Sequence, residues 1–170
     1  EGATILIGDI TNPNTIEQVN EELEGYNLNC VISDISPRLT GRYDTDQAIS
    51  LELSTMVLDV AMPILTPGGS FVTKIFQGVG IEGLIEAAKM RFSSVQRFAP
   101  TASRNSSSET YLVCRNKLPK VRKEAEGKTA YQHLKEHLKK LDIVVENESE
   151  KDETETKIGF RKYQPEKSKK

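Results

Sequence analysis

Several common structural features are absent from this 170-residue sequence or scarce in it. It contains no tryptophan and only two cysteines, Cys30 and Cys114, both within apolar runs. This excludes a disulfide framework and favours two buried thiols in a reducing compartment. No apolar run approaches the roughly 20 residues of a membrane span, and no signal-peptide pattern opens the sequence. We therefore expect a cytoplasmic protein that does not contact a membrane.

The small net charge of -2 conceals an uneven distribution along the chain. Residues 1–114 carry 7 Lys/Arg and 14 Asp/Glu (net -7), whereas residues 115–170 carry 16 and 11 (net +5). This change predicts one domain at residues 1–118, followed by a charged tail at residues 119–170. Within the tail, residues 120–141 have the spacing of a basic amphipathic helix, and residues 146–155 lack apolar side chains and are expected to be disordered.

Apolar runs alternate with helical patterns through the first part of the chain. Strand–helix alternation up to residue 92 favours a parallel, doubly wound α/β sheet, and a short polar connection between the last two strands favours an antiparallel hairpin. Ligands of such sheets bind at the carboxyl ends of the strands, so we expect Asp9, Asp34 and the loop after Lys74 along one rim. The predicted strands are residues 3–7, 28–34, 70–76, 94–98 and 109–115, and the predicted helices are 13–23, 45–64 with Asp44 as its cap, and 80–92.

Three motifs occur in order along the predicted strands. They are SDISP at residues 33–37, LTPGGSFVTKIFQG at residues 65–78 and SSETYLV at residues 107–113. Together they resemble the FtsJ/RrmJ family of ribose 2′-O-methyltransferases over residues 3–116, and the combination is far more specific than any single motif. The resemblance implies a Rossmann-like, S-adenosylmethionine-dependent methyltransferase, of which residues 1–118 would be the C-terminal portion.

The resemblance also implies a Lys-Asp-Lys-Glu catalytic tetrad. By motif match, Asp34 is its aspartate, Lys74 its second lysine and Glu109 its glutamate. The first lysine and the glycine-rich cofactor loop belong to the family's N-terminal part, which is expected upstream of Glu1. We therefore expect residues 1–170 made in isolation to bind S-adenosylmethionine weakly or not at all.

Lys74 is a long cation inside an apolar strand, where an ammonium without a partner is strongly penalised. It can extend to solvent or lie beside acids, and the acids at the two neighbouring motif positions favour the second arrangement. A ribose hydroxyl is a poor nucleophile that benefits from a base and from alignment with the methyl donor. We hypothesise that Lys74 takes or guides the proton, that Asp34 orients it and that Glu109 fixes the lysines. Asp34 as a loop cap and Glu109 as a solvated edge residue are the alternatives.

Cofactor-binding residues follow from the same resemblance. Asp34 would lie near the methyl donor, Asp9 would contact the adenine amino group, and Ile10 would pack on the adenine face. Asp9 could equally cap the helix that begins near Pro13.

Candidate contacts to substrate RNA lie on loops and on the last strand. Arg38, Arg42 and Arg104 are candidate phosphate ligands, with ordinary surface arginines as the alternative. Tyr111 shares a strand face with Glu109 and could stack on a base or fill the core of the sheet. His133 and His137 stand four residues apart without a third ligand in the sequence pattern, so we interpret them as surface residues and expect no metal.

Three classes of function remain open at this point. The favoured one is methylation of the ribose 2′-hydroxyl of a uridine in large-subunit ribosomal RNA, with the RNA or the ribosomal subunit as partner of a monomeric enzyme. The alternatives are a transfer RNA or messenger-cap 2′-O-methyltransferase and a non-catalytic RNA-binding or ribosome-assembly factor on the same scaffold.

Overall fold

The computed structural model describes residues 3–99, 109–141, 143–147 and 158–162. Helices and strands follow one another along this part of the chain, with a short 3-10 helix at Lys123–Ala125. The helices are α1 (Pro13–Glu22), α2 (Tyr43–Ile64), α3 (Ile81–Lys89) and α4 (Ala130–Lys140). The strands are β1 (Leu28–Ser33), β2 (Leu65–Phe76), β3 (Phe92–Phe98), β4 (Glu109–Lys117), β5 (Ile143–Asn147) and β6 (Ile158–Lys162).

Four strands form the main sheet in the order β1-β2-β4-β3. β1 and β2 are parallel, whereas β4 is antiparallel to both β2 and β3. The expected α/β class with a closing antiparallel hairpin is therefore confirmed, and the sheet is mixed. Because β4 runs against β2, its amino end lies at the same rim as the carboxyl ends of β1 and β2.

The prediction of a strand at residues 3–7 is wrong. These residues carry no strand assignment, and the side chains of Ile5 and Ile7 are 83% and 94% exposed. A strand is stabilised by a hydrogen-bonded neighbour, and no strand within the described ranges pairs with this segment. Residues 3–7 therefore have the apolar composition of a strand, but they form no hydrogen-bonded ladder with a described strand.

The two cysteines differ in environment, so the expectation of two buried thiols is wrong for Cys30. Cys114 lies in the core on β4, where burial raises the pKa of its thiol to about 12. Cys30 is exposed, because it lies on the face of β1 opposite to Val31, which packs against the core. Its neighbour two residues along the same strand face, Ile32, is also 75% exposed.

α2 is the central helix of the core. Leu51, Leu58 and Ala61 are almost fully buried in the hydrophobic cluster that also contains Phe71 of β2. The helix begins at Tyr43, so the expected cap Asp44 lies inside its first turn. By length and composition α2 could cross a membrane, but 56% of its most apolar window is buried within the molecule. We therefore interpret it as a core helix.

α4 provides the amphipathic helix expected within residues 120–141, although it is shorter. Gly127, with φ of +74°, interrupts the segment, and the helix begins at Ala130 behind a capping box of Thr129 and Gln132. Its apolar side packs on α2 and α3, where Leu134 and Leu138 are 1% exposed. The domain division at residues 118/119 stays a prediction. Of the segment expected to be disordered, residues 146 and 147 belong to β5, and residues 148–155 lie outside the described residues.

A carboxylate of α2 accepts hydrogen bonds from the first turn of α4. The Asp59 carboxylate accepts hydrogen bonds from the backbone N–H groups of Ala130 (2.6 Å) and Tyr131 (3.0 Å). These donors have no partner within the helix, and a negative charge also complements the positive end of the helix dipole. The Tyr131 hydroxyl donates to Glu52, a second carboxylate of α2. The tail helix is therefore joined to the core by polar contacts as well as by its leucines.

The two histidines of α4 are half-buried against α3, which corrects their interpretation as surface residues. Glu86 Oε2 lies 3.1 Å from His137 Nδ1 and 3.8 Å from His133 Nε2, and both histidine side chains are only 18% exposed. Among the described residues, no group of three metal-ligating side chains could hold a metal ion. The pair therefore joins α3 to α4 through a carboxylate.

Stability is expected to fall in mild acid because of His133. Burial lowers its pKa below the ordinary 6.5, reinforced by Arg91 and opposed by Glu86 and Glu136. At His133 the unfolded chain therefore binds a proton more readily than the folded one. Above pH 6.5 neither state is protonated there, so the histidine does not affect stability, and below pH 6.5 its protonation favours the unfolded state. Thermal unfolding between about pH 7.5 and 5.5 should show a smaller decrease in Tm for His133→Gln than for wild type. Equal decreases would contradict this assignment.

Candidate active site

Lys74 lies between two carboxylates at the rim of the sheet. Its Nζ is 3.1 Å from Asp34 Oδ1 and 4.0 Å from Glu109 Oε1. The lysine side chain is 11% exposed, whereas those of Asp34 and Glu109 are 73% and 47% exposed. A nearly buried cation thus meets two acids that remain open to solvent. The two carboxylates that flank the ammonium are therefore open to a ligand.

Strand register brings these three residues together. Ser33 pairs with Thr73 in the parallel β1–β2 ladder, so Asp34, which follows β1, lies beside Lys74. In the antiparallel β2–β4 ladder, Lys74 pairs with Tyr111 and Phe76 pairs with Glu109. A shift of either ladder by one residue would turn the lysine to the other face of the sheet.

The backbone around Lys74 is fixed from the opposite face of the sheet. Ser54 of α2 donates a hydrogen bond of 2.9 Å to the Lys74 carbonyl, and Ser50 accepts one of 3.3 Å from the Phe76 N–H. Both serines are buried. α2 therefore fixes the backbone of the strand that carries the lysine. The ammonium lies beside the two acids, and the lysine side chain as a whole is nearly buried.

The family of this chain follows from comparison with known proteins. The family model described as FtsJ-like methyltransferase matches residues 1–117. The chain belongs to this family. The resemblance found in the three motifs is therefore confirmed, whereas the roles of individual site residues stay predictions.

Curated relatives carry the name ribosomal RNA large subunit methyltransferase E. The protein of Methanothrix thermoacetophila is 43% identical over 113 residues, which cover 66% of this chain and 44% of the relative. That of Nitratidesulfovibrio vulgaris is 47% identical over 98 residues, covering 58% and 47%. This chain thus spans about half the length of the curated relatives that it matches.

A solved structure supports the fold independently of these names. It is described as a ribosomal RNA methyltransferase of Plasmodium falciparum and superposes with a TM-score of 0.54 at 23% identity. The match covers 66% of this chain and 58% of that chain. At this identity the likeness concerns the fold alone.

Asp9 and Ile10, the other candidate cofactor ligands, lie in the turn before α1. Asp9 Oδ1 accepts hydrogen bonds from the backbone N–H (2.8 Å) and hydroxyl (2.7 Å) of Thr11, and the backbone bond chiefly lowers its pKa. The side-chain cap of α1 is Asn12, so Asp9 orders the preceding turn instead of capping the helix. Ile10 packs against the core. Within the described part of the chain, no ion pair or hydrogen bond joins Asp9 to Asp34 or Lys74.

The candidate RNA contacts have different placements. Arg38 and Arg42 are exposed in the loop that follows β1, at the same rim as Asp34. Tyr111 is half-buried and pairs with Lys74, which places both side chains on one face of the sheet. Arg104 lies outside the described residues.

Sequence reasoning missed the residues that hold the loop carrying the two arginines. Asp46 of α2 accepts hydrogen bonds from the Thr40 N–H (2.8 Å), the Thr40 hydroxyl (2.7 Å) and the Gly41 N–H (3.2 Å). The first of these bonds chiefly lowers the pKa of Asp46. Tyr43 donates its hydroxyl to the Gln77 carbonyl and so joins α2 to the end of β2. An acid in the first turn of a helix after a glycine was the available signal for Asp46.

Proposed function

We propose that this protein methylates a ribose 2′-hydroxyl in RNA, with S-adenosylmethionine as donor and large-subunit ribosomal RNA, at a uridine, as substrate. The observation that carries the proposal is the approach of Lys74 Nζ to Asp34 at 3.1 Å and to Glu109 at 4.0 Å. The names of the curated relatives support the RNA class, and membership of a methyltransferase family supports the reaction.

The Asp34 carboxylate suits the methyl donor in charge. The sulfonium of S-adenosylmethionine is positive, whereas its ammonium is offset by its own carboxylate, and the 73% exposed Asp34 provides a negative charge. Asp9 and Ile10, in the turn before α1, are proposed to contact the adenine through a carboxylate and an apolar side chain. We assign cofactor contacts to these three residues and the catalytic contacts to Asp34, Lys74 and Glu109.

The donor, when bound, supplies an electrophilic methyl carbon. The ribose oxygen would take the methyl group as the bond from carbon to sulfur breaks and S-adenosylhomocysteine leaves, and the hydroxyl proton would pass to Lys74 in its neutral amine form, or be guided away by Lys74 in its ammonium form. Asp34 holds the ammonium from the β1 side and Glu109 from the β4 side, so the lysine keeps one position at the rim. Holding the reacting groups in one geometry removes much of the entropic cost of the encounter.

RNA is the proposed partner, and the chain is proposed to act as a cytoplasmic monomer. Arg38, Arg104 and Tyr111 are the proposed RNA contacts. Arg38 and Tyr111 lie toward the rim that carries Lys74. Residues 115–170, with a net charge of +5, provide further positive charge for the phosphate backbone.

Mass spectrometry of RNA nucleosides tests this function. The full-length protein would be incubated with S-adenosylmethionine and, separately, with ribosomal RNA, large ribosomal subunits, transfer RNA and capped RNA. The expected result is a 2′-O-methyluridine that appears only with ribosomal RNA or the subunit. Methylation of transfer RNA or of the cap would overturn the substrate assignment, and RNA binding without methylation of any substrate would identify a non-catalytic factor.

A further inference from the structure

A row of three side chains crosses the sheet at the level of Lys74. Lys74 of β2 pairs with Tyr111 of β4, and Tyr111 pairs with Phe98 of β3. Directly opposed residues in antiparallel strands project from the same face with neighbouring Cβ atoms, so the row is continuous. With strands about 4.8 Å apart, the Phe98 backbone lies roughly 10 Å from that of Lys74. The row therefore leads from the candidate catalytic lysine to the β3 edge.

Phe98 is an unusual residue for this position. Its side chain is 57% exposed, although exposed positions on an edge strand ordinarily carry polar groups. The backbone at Phe98 is held, because its carbonyl accepts a 3.0 Å hydrogen bond from the buried Thr110 hydroxyl. A fixed backbone thus presents an open aromatic ring next to the half-buried Tyr111.

The position of Phe98 in its row decides what the ring can receive. The next row on the same face is mixed: Gln96 of β3 is exposed, Val113 and Val72 are half-buried, and Ile32 at the far side is 75% exposed. The row of Phe98 itself contains the Tyr111 ring and ends at the Lys74 cation. An open ring in line with a second aromatic side chain and a cation suits a planar base.

We propose that Phe98 is a positioning residue that stacks on an unpaired nucleobase neighbouring the ribose held at Lys74. The proposal deepens the function stated above and rests on it. Single-stranded nucleic acids bind protein sheets through such aromatic platforms, and stacking tolerates any base because each base has a flat π-face. Phe98 would then hold the strand so that the target ribose reaches Lys74, without contacting the reacting atoms.

A fluorescent base measures the proposed contact directly. The full-length protein would be titrated into a short single-stranded RNA with 2-aminopurine beside the target uridine, and emission, Kd and the KM for methylation would be recorded. Phe98→Ala is expected to abolish the quenching and to raise Kd and KM about 5- to 100-fold, with little change in kcat. Phe98→Trp should restore all three readouts, and Phe98→Leu, which keeps the apolar bulk, should not.

Tyr26→Ala is the matched control, because Tyr26 is 75% exposed but precedes the amino end of β1, away from the rim. It should behave like wild type. If wild type methylates RNA and Phe98→Ala keeps its quenching, Kd and KM, the stacking proposal alone is overturned. If quenching depends on Phe98 but wild type methylates no RNA, the contact stands and the proposed catalytic function fails. Full activity of Phe98→Leu would show that apolar bulk suffices, which also overturns stacking.

Discussion

Lys74→Ala is expected to lower the rate of methyl transfer by about 10²- to 10⁴-fold, the contribution typical of a positioned acid–base group. The structure supports a large effect because Lys74 Nζ is held by Asp34 at 3.1 Å and approached by Glu109 at 4.0 Å. Removing the ammonium also leaves these two carboxylates at the rim without the cation between them. Single-turnover measurement with saturating RNA and S-adenosylmethionine would separate this loss from weaker binding.

Lys74→Arg separates proton transfer from electrostatics. A guanidinium keeps the positive charge and can bridge both carboxylates, but it stays protonated and therefore cannot accept a proton. We expect it to be nearly as slow as the alanine variant. A rate within a few-fold of wild type would show that Lys74 acts only as a fixed charge. Lys89→Ala, which removes an exposed lysine at the end of α3, should leave the rate unchanged.

Loss of folding is not expected to explain the effect of Lys74→Ala. Ion pairs with an exposed partner contribute about 0–1 kcal/mol to stability, and the Asp34 side chain is 73% exposed. The strand itself is held by its two ladders and by the Ser54 hydrogen bond. Matching urea unfolding curves for wild type and variant would confirm that the rate reports the chemistry.

The grouping of Lys74, Asp34 and Glu109 was expected from the match of three motifs to the FtsJ/RrmJ family, and both carboxylates do lie within 4.0 Å of Lys74 Nζ. The strand pattern by itself predicted only that Asp34 and the loop after Lys74 share a rim, because parallel strands place their carboxyl ends on one side. The pairing of Lys74 with Tyr111 and of Tyr111 with Phe98 could not be read in this way, because a register depends on contacts between distant segments. The proposed stacking position of Phe98 therefore became visible only in the structure.

Two local predictions failed because composition does not reveal the neighbours of a segment. Residues 3–7 have the apolar side chains of a strand, but no described strand pairs with them. Cys30 lies in an apolar run, but it projects from the face of β1 that points away from the core, so it is exposed. In both cases the sequence pattern did not show which element pairs with the segment or covers its side chains.

The basic tail shows what a charge pattern leaves open. Charge and composition predict an appendage after residue 118, and this division stays a prediction, but α4 contributes Ala130, Leu134 and Leu138 to the core cluster. A periodic pattern shows that a helix has an apolar side but not what that side contacts. Deleting residues 120–170 would therefore perturb the fold as well as any RNA contact. Charge reversal at the exposed Lys139 and Lys140 is the cleaner test of RNA binding.

Leu134→Ala is expected to destabilise the protein by about 2–5 kcal/mol, the range for truncation of a buried leucine. Leu134 is 1% exposed, and α3 approaches it so closely that a Cβ added at Gly83 would lie 2.9 Å from Leu134 Cδ1. Because domains are stable by about 5–15 kcal/mol, this is a large share of the total. Urea unfolding would show it as a lower midpoint of the main transition.

Lys139→Ala provides the control on the same helix, since Lys139 is exposed and a surface substitution is expected to change stability by no more than about 0.5 kcal/mol. If Leu134→Ala changed the main transition as little as this control, α4 would unfold separately from the sheet, and residues 119–170 would be a detachable tail. If it lowers the midpoint as expected, the helix belongs to the cooperative unit that holds β2, and with it Lys74, in place. Substitutions on the buried side of α4 would then reduce methyl transfer through loss of folding.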